Sequence, residues 1–88
     1  MYSLRISENA KKDLVKLDKQ CAKIIVSWLK KNLENTTNPR ALGKPLKGKL
    51  KGMWRYRVGD YRILSLIKDN ELIVLVITVG HRKDVYEQ

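Results

Sequence analysis

KPLKGKLKGMWRYRVGDYR, residues 44–62, is the stretch whose reading decides the fold. It carries Lys44, Lys47, Lys49, Lys51, Arg55, Arg57 and Arg62 against one acid, Asp60. Its first half is a basic loop punctuated by glycine. Its second half has the pattern of a β-hairpin: a strand over 53–58, a Gly59-Asp60 turn, then a strand from Tyr61. A two-residue turn sets Val58 opposite Tyr61 and Arg57 opposite Arg62, on one face of the sheet. Directly opposed like charges repel. A fold selected for stability alone would avoid the pair, so something anionic is expected between the two guanidiniums.

Working outward, the strand from Tyr61 continues to residue 67, Asp69-Asn70 makes a turn, and residues 72–79 form the last strand. Pairing across that turn sets Lys68 against Glu71 and Arg62 against Ile77. The last strand is apolar on both faces, which predicts a central position covered on both sides. Upstream, residues 2–6 alternate as a short strand. Ser7 is an N-cap for a helix with Ala10, Leu14 and Leu17 at helical spacing and Val15 widening the stripe. Asp18 caps a second helix whose stripe is Cys21, Ile24, Ile25, Trp28 and Leu29, and which ends before Pro39. The tight junction predicts an antiparallel helical hairpin. The long segment 35–52 is a loop of the kind that carries function, pinned by Leu42, Leu46 and Leu50. The expected fold is therefore α+β: an N-terminal strand, an antiparallel helical hairpin, then a three-stranded antiparallel meander completing one four-stranded sheet. Trp28, Trp54, Tyr56 and Cys21 are expected in its core.

At 88 residues the chain is one domain, 1–88, with a single small core. Its longest apolar run, residues 72–79, is too short to cross a bilayer. The N-terminal MYSLRISEN lacks the apolar region of a signal peptide. The one cysteine, Cys21, allows no internal disulfide, which fits a cytoplasmic chain. One His and one Cys rule out a zinc site from the usual ligands, so no metal or cofactor is expected. The net charge is +10, and its distribution is uneven. Residues 1–34 carry +4, residues 35–62 carry +7, and residues 63–88 carry −1. Charge focused on the middle of the chain implies a surface that meets phosphates or an acidic protein.

The tail, Gly80-His81-Arg82-Lys83-Asp84-Val85-Tyr86, leaves the central strand where Arg62 emerges. Under the register above, it brings His81, Arg82 and Tyr86 to the paired arginines. Arg55, Arg57, Arg62 and Arg82 can then clamp a phosphate and its neighbours with bidentate guanidiniums. Four neutralised phosphates on a single strand give a salt slope of about −2.8 in log K against log salt, roughly 0.7 per contact. Lys44, Lys47, Lys49 and Lys51 track a backbone without reading sequence. RNA can be cut without metal when its 2′-hydroxyl attacks the adjacent phosphate, given a base, an acid and stabilisation of the added charge. Arginine is a poor base because its guanidinium keeps its proton far above neutral pH; the imidazole of His81 is the easier one. Tyr86 can stack on a base or give a proton to the leaving 5′-oxygen. DNA lacks the 2′-hydroxyl, so the constellation points to RNA.

The element order, the 44–62 stretch, VGHRKDVY at 79–86 and NPRALG at 38–43 resemble the RelE/ParE superfamily of toxins from type II toxin–antitoxin systems, with the closer likeness to the RelE branch. That resemblance implies an mRNA interferase that enters the ribosome, contacts 16S rRNA and cuts messenger in the A site. It also implies a cognate acidic antitoxin, with the free toxin a monomer and the bound form a hetero-oligomer. By position, Arg55 and Arg57 stand where RelE has two lysines; Arg62, Arg82 and Tyr86 match an arginine after the hairpin, a tail arginine and a tail tyrosine. Arg57 replaces a lysine held to be the base, so either His81 takes that role, the ribosome helps, or cleavage is slow. The other branch, ParE, inhibits gyrase and is the main rival. A basic module whose main activity is antitoxin binding is the non-enzymatic alternative.

Overall fold

Two polar side chains start the helices. Ser7, in extended backbone, accepts the N–H of Ala10 at 3.0 Å, and Asp18 accepts the N–H of Gln20 at 3.1 Å. Each satisfies a donor that the first helical turn would otherwise leave unpaired. The computed structural model describes residues 1–81. Its elements are β1 (Ser3–Ile6), α1 (Glu8–Lys16), α2 (Lys19–Leu33), β2 (Lys44–Pro45), β3 (Trp54–Val58), β4 (Tyr61–Lys68) and β5 (Ile73–His81).

The strands form one mixed sheet in the order β1-β5-β4-β3-β2. It has five strands, one more than the sequence pattern predicts. The extra one is the two-residue β2 inside the basic loop, where Lys44 pairs with Arg55 and Pro45 with Trp54. Two residues are too few for alternation to register, and proline is tolerated there because the strand lies at the sheet edge. β5 is interior as expected, parallel to β1 and antiparallel to β4.

Both helices pack on the same sheet face. Ala10, Ile25, Leu29 and Leu33 meet Tyr56, Val58, Ile63, Val74, Val76 and Val79, with Trp28 and Trp54 packed against them. The helices cover β5 on this face alone, and Ile73, Leu75 and Ile77 on the strand stay half-buried. The expected cover on both faces is thus corrected. The helix stripes are narrower than expected as well: Val15 is 84% exposed and Ile24 57%. At about 100° per residue, Ile25 and Leu29 face the sheet and their neighbour Ile24 swings outward.

The β3–β4 register is the expected one, with Arg57 opposite Arg62. Gly59 has φ +58, as a two-residue turn with glycine first requires. The β4–β5 register differs. Residues 69–72 all lie in the turn, which closes with Leu72 in the left-handed region at φ 54, and Lys68 faces Ile73 instead of Glu71. A bulge at Leu64/Ser65, with Ile77 as the extra residue on β5, shifts the pairing again. Arg62 therefore faces Gly80, not Ile77.

Residues 34–43 are sewn onto β3 by the aromatic side chains of that strand. The Tyr56 hydroxyl donates to the Pro39 carbonyl at 2.6 Å, and the Trp54 indole donates to that of Leu42 at 2.7 Å. Gly43 has φ +80 and lies so close to β3 that a Cβ there would run into the Arg55 carbonyl oxygen. Of the three leucines expected to pin the loop, Leu46 is buried, Leu50 is half-buried, and Leu42 is exposed and contributes through its carbonyl.

Burial pushes the Tyr56 phenol up to about 12. Because the unfolded phenol titrates near 10, the stability this group contributes is intact below that pH and is lost as pH rises through about 12. Tyr56→Phe is expected to cost about 1–3 kcal/mol in urea unfolding at neutral pH, since it strands the Pro39 carbonyl. It is also expected to flatten the loss of stability between pH 10 and 12; an unchanged alkaline limb would refute this.

Candidate nucleic-acid interface

The sheet face away from the helices carries the cations. Paired residues share a face, so the registers assemble it row by row. One row is Lys44, Arg55, Leu64 and Thr78; the next is Arg57, Arg62 and Gly80. Arg57 is exposed, whereas Arg55 and Arg62 are half-buried with their Nε atoms buried, which seats their stems in the surface. The sequence-derived trio Arg55, Arg57 and Arg62 thus converges, and Lys44 joins it through β2. Lys47, Lys49 and Lys51 are exposed around a 3-10 turn at Gly48–Leu50.

His81 is placed elsewhere. It pairs with Tyr61 and shares the helix-side face, where the two rings meet edge to face at 5.8 Å. The Ile77 bulge is the reason: an extra residue in β5 reverses which face each later side chain takes. The expectation that His81 joins the paired arginines rested on the unbulged register. Arg82 and Tyr86 lie outside the described residues.

A residue cluster that composition alone did not single out holds the basic loop. Arg40, from the NPRALG segment, grips Asp69 with both terminal nitrogens at 3.0 Å, and the Tyr2 hydroxyl donates to the same carboxylate at 2.7 Å. The Arg40 guanidinium also lies 5.9 Å from the centre of the Trp54 ring. Hydrogen bonds from Arg40 and Tyr2 hold the Asp69 carboxyl down at about 2, so the clasp stays charged until pH falls well below 4. The same carboxylate raises the Tyr2 phenol. Asp69 reads in sequence as an ordinary turn residue; its tie to Arg40 spans 29 positions and leaves no local signal.

Among the described residues no group of three or more His, Cys, Asp or Glu is placed to hold a metal ion, and no helix is long and apolar enough to cross a membrane. What the face offers chemically is a set of guanidiniums ordered by a sheet, with lysines at its margin. That arrangement suits an anion with several oxygens.

The fold and this face define a class of small basic α+β proteins built on a helical hairpin over a mixed sheet. The family model described as "ParE toxin of type II toxin-antitoxin system, parDE" matches residues 4–86. The chain belongs to this RelE/ParE superfamily of type II toxin–antitoxin toxins. Toxin RelG of Mycobacterium tuberculosis is 33% identical over 87 residues, covering 99% of this chain and 98% of the relative. Toxin RelE of the same organism is 35% identical over 85 residues, covering 97% and 86%. Among solved structures, the RelBE2 toxin–antitoxin complex from M. tuberculosis matches at TM-score 0.83 and 33% identity, over 92% of this chain and 98% of the other. The intact Escherichia coli RelBE complex matches at TM-score 0.72 and 26% identity, over the whole of both chains.

Opposition of Arg57 and Arg62 should cost the free protein stability. Arg57→Gln is expected to raise unfolding stability by about 0.2–1 kcal/mol in dilute buffer. The gain should shrink as salt screens the pair. A destabilised variant, or a gain independent of salt, would contradict the reading.

Proposed function

We propose that this toxin is a metal-independent endoribonuclease that cuts messenger RNA in the A site of translating ribosomes. The observation that carries the proposal is the direct opposition of Arg57 and Arg62 on a face shared with Arg55 and Lys44. A phosphate between the two guanidiniums turns a repulsive arrangement into two charge-assisted contacts. In the reaction the 2′-oxygen attacks phosphorus and gives up its proton to a base. The bond to the 5′-oxygen then breaks, and that oxygen takes a proton from an acid. Arg62 and Arg82 hold the phosphate, and Arg55 and Arg57 stabilise the added charge. Tyr86 stacks on a base or supplies the proton to the leaving oxygen. Lys44, Lys47, Lys49 and Lys51 follow the RNA backbone or 16S rRNA.

An imidazole is the side chain best suited to be the base, but the register of His81 puts it behind the sheet from Arg57 and Arg62. We therefore assign the proton acceptor to the ribosome–RNA environment or to Arg57 acting slowly. The RelB complexes of the neighbouring structures support a cognate antitoxin here, acidic enough to neutralise the patch and silence the toxin in the cytoplasm. The free toxin is then a monomer. A second reading, inhibition of gyrase, has one finding in its favour: the description of the matching family model names ParE.

The test is induction of the toxin without its antitoxin, followed by mapping of messenger 5′ ends. Cuts phased with ribosomes are expected, reduced about 100-fold or more in Arg62→Ala and retained, with the same pH profile, in His81→Ala. Intact messenger with relaxed or broken chromosomes would favour gyrase. Normal growth would leave antitoxin binding as the main activity.

A further inference from the structure

The N-cap Ser7 and helix α1 together send three polar side chains to one stretch of β5. The Ser7 hydroxyl donates to the Ile77 carbonyl at 3.1 Å, and the Asn9 amide donates to the same oxygen at 3.0 Å. Asp13 accepts the backbone N–H of Val79 at 3.0 Å, across 66 positions of sequence. The backbone N–H of Ser7 adds a bond to the Val76 carbonyl at 2.9 Å. Three of the four bonds fall on Val76 and Ile77 at the bulge, and the Asp13 bond falls on Val79 just beyond it. A bulge interrupts the ladder and leaves backbone groups of the bulged strand to be satisfied elsewhere. Here Ser7 and Asn9 satisfy the Ile77 carbonyl, and Asp13 satisfies the Val79 N–H.

What the bulge decides is the composition of the cationic face. With Ile77 as the extra residue, Gly80 stands opposite Arg62 and Val79 turns into the core, where it is 3% exposed. Without it, the register that holds from Lys68 to Ser65 would continue. Val79 would then stand opposite Arg62, its isopropyl group beside the guanidinium, and Thr78 and Gly80 would face the helices. Burial of Val79 favours the bulged register; the interrupted ladder opposes it. The side chains of Ser7, Asn9 and Asp13 offset that opposition.

We propose that Asp13, assisted by Ser7 and Asn9, is a positioning residue for the arginine face. By accepting the N–H of Val79, which the extra residue turns toward α1, it holds the bulged register and keeps a residue without a side chain beside Arg62, leaving room there for a phosphate. Asp13 lies on the helix side of the sheet and touches no substrate. The proposal about its effect on catalysis rests on the RNA-cleavage reading above; the proposal about the bulge does not.

The test compares Asp13→Ala with Asp13→Asn in the full chain, since asparagine keeps an acceptor oxygen and alanine does not. Amide exchange at Val79 is expected to speed up tenfold or more in Asp13→Ala and to stay near wild type in Asp13→Asn. Cleavage of ribosome-bound messenger is expected to lose tenfold or more in kcat with little change in KM in Asp13→Ala only, because the lysine loop is untouched. Unchanged Val79 exchange in Asp13→Ala would overturn the clamp whatever happens to RNA. Faster exchange with unchanged kcat would overturn the positioning role. A wild-type protein that cuts no RNA would sink the functional reading, and the exchange arm would still decide the clamp. If Asp13→Ala does not fold, Asp13→Leu, which fills the space of the carboxylate but has no acceptor for the Val79 N–H, carries the same comparison.

Discussion

Everything on the cationic face depends on a pair of like charges held across a hairpin. The two-residue Gly59-Asp60 turn leaves β3 and β4 one register, and that register opposes Arg57 to Arg62. The sheet cannot relieve the repulsion by sliding one strand by a residue, because Tyr56 on β3 or Ile63 on β4, each fully buried, would then leave the core. The hydrophobic core on one face thus sets two like charges opposite each other on the other. Such conflicts between local preference and global fold gather at functional sites. Family membership places this one in a toxin.

The basic loop is built to the opposite principle, with several weak ties. Its bonds to β3 come from Tyr56 and Trp54, the same side chains that fill the core, so loop position and core packing are coupled. Arg40, Asp69 and Tyr2 then join the loop to the β4–β5 turn and to the start of the chain. The clasp is exposed, with side-chain exposures of 44% for Arg40 and 53% for Asp69, so it adds little to global stability. Its consequence is geometric: Lys44 enters the sheet beside Arg55 instead of drifting with the loop.

Much of this was legible from residue order. Ser7 and Asp18 announced the helices, alternation announced β3, and Gly59-Asp60 announced the turn and with it the paired arginines. What escaped the sequence has physical causes. β5 reads Ile-Val-Leu-Val-Ile-Thr-Val, apolar at nearly every position, so alternation could not reveal a bulge or fix which face His81 takes. The β4–β5 turn was lengthened by a left-handed Leu72, a conformation that leucine rarely adopts and sequence does not advertise. The two-residue β2 and the Arg40–Asp69 clasp depend on partners far along the chain.

The central claim is that Arg57 and Arg62 share one anion. The most direct measurement is an NMR titration of the arginine Nε–Hε signals with a short RNA whose 2′-oxygens are methylated, so that it binds without being cut. The account predicts that the Arg57 and Arg62 signals move together, along one binding curve that weakens with salt. Movement confined to the lysine loop, or separate curves for the two arginines, would contradict it.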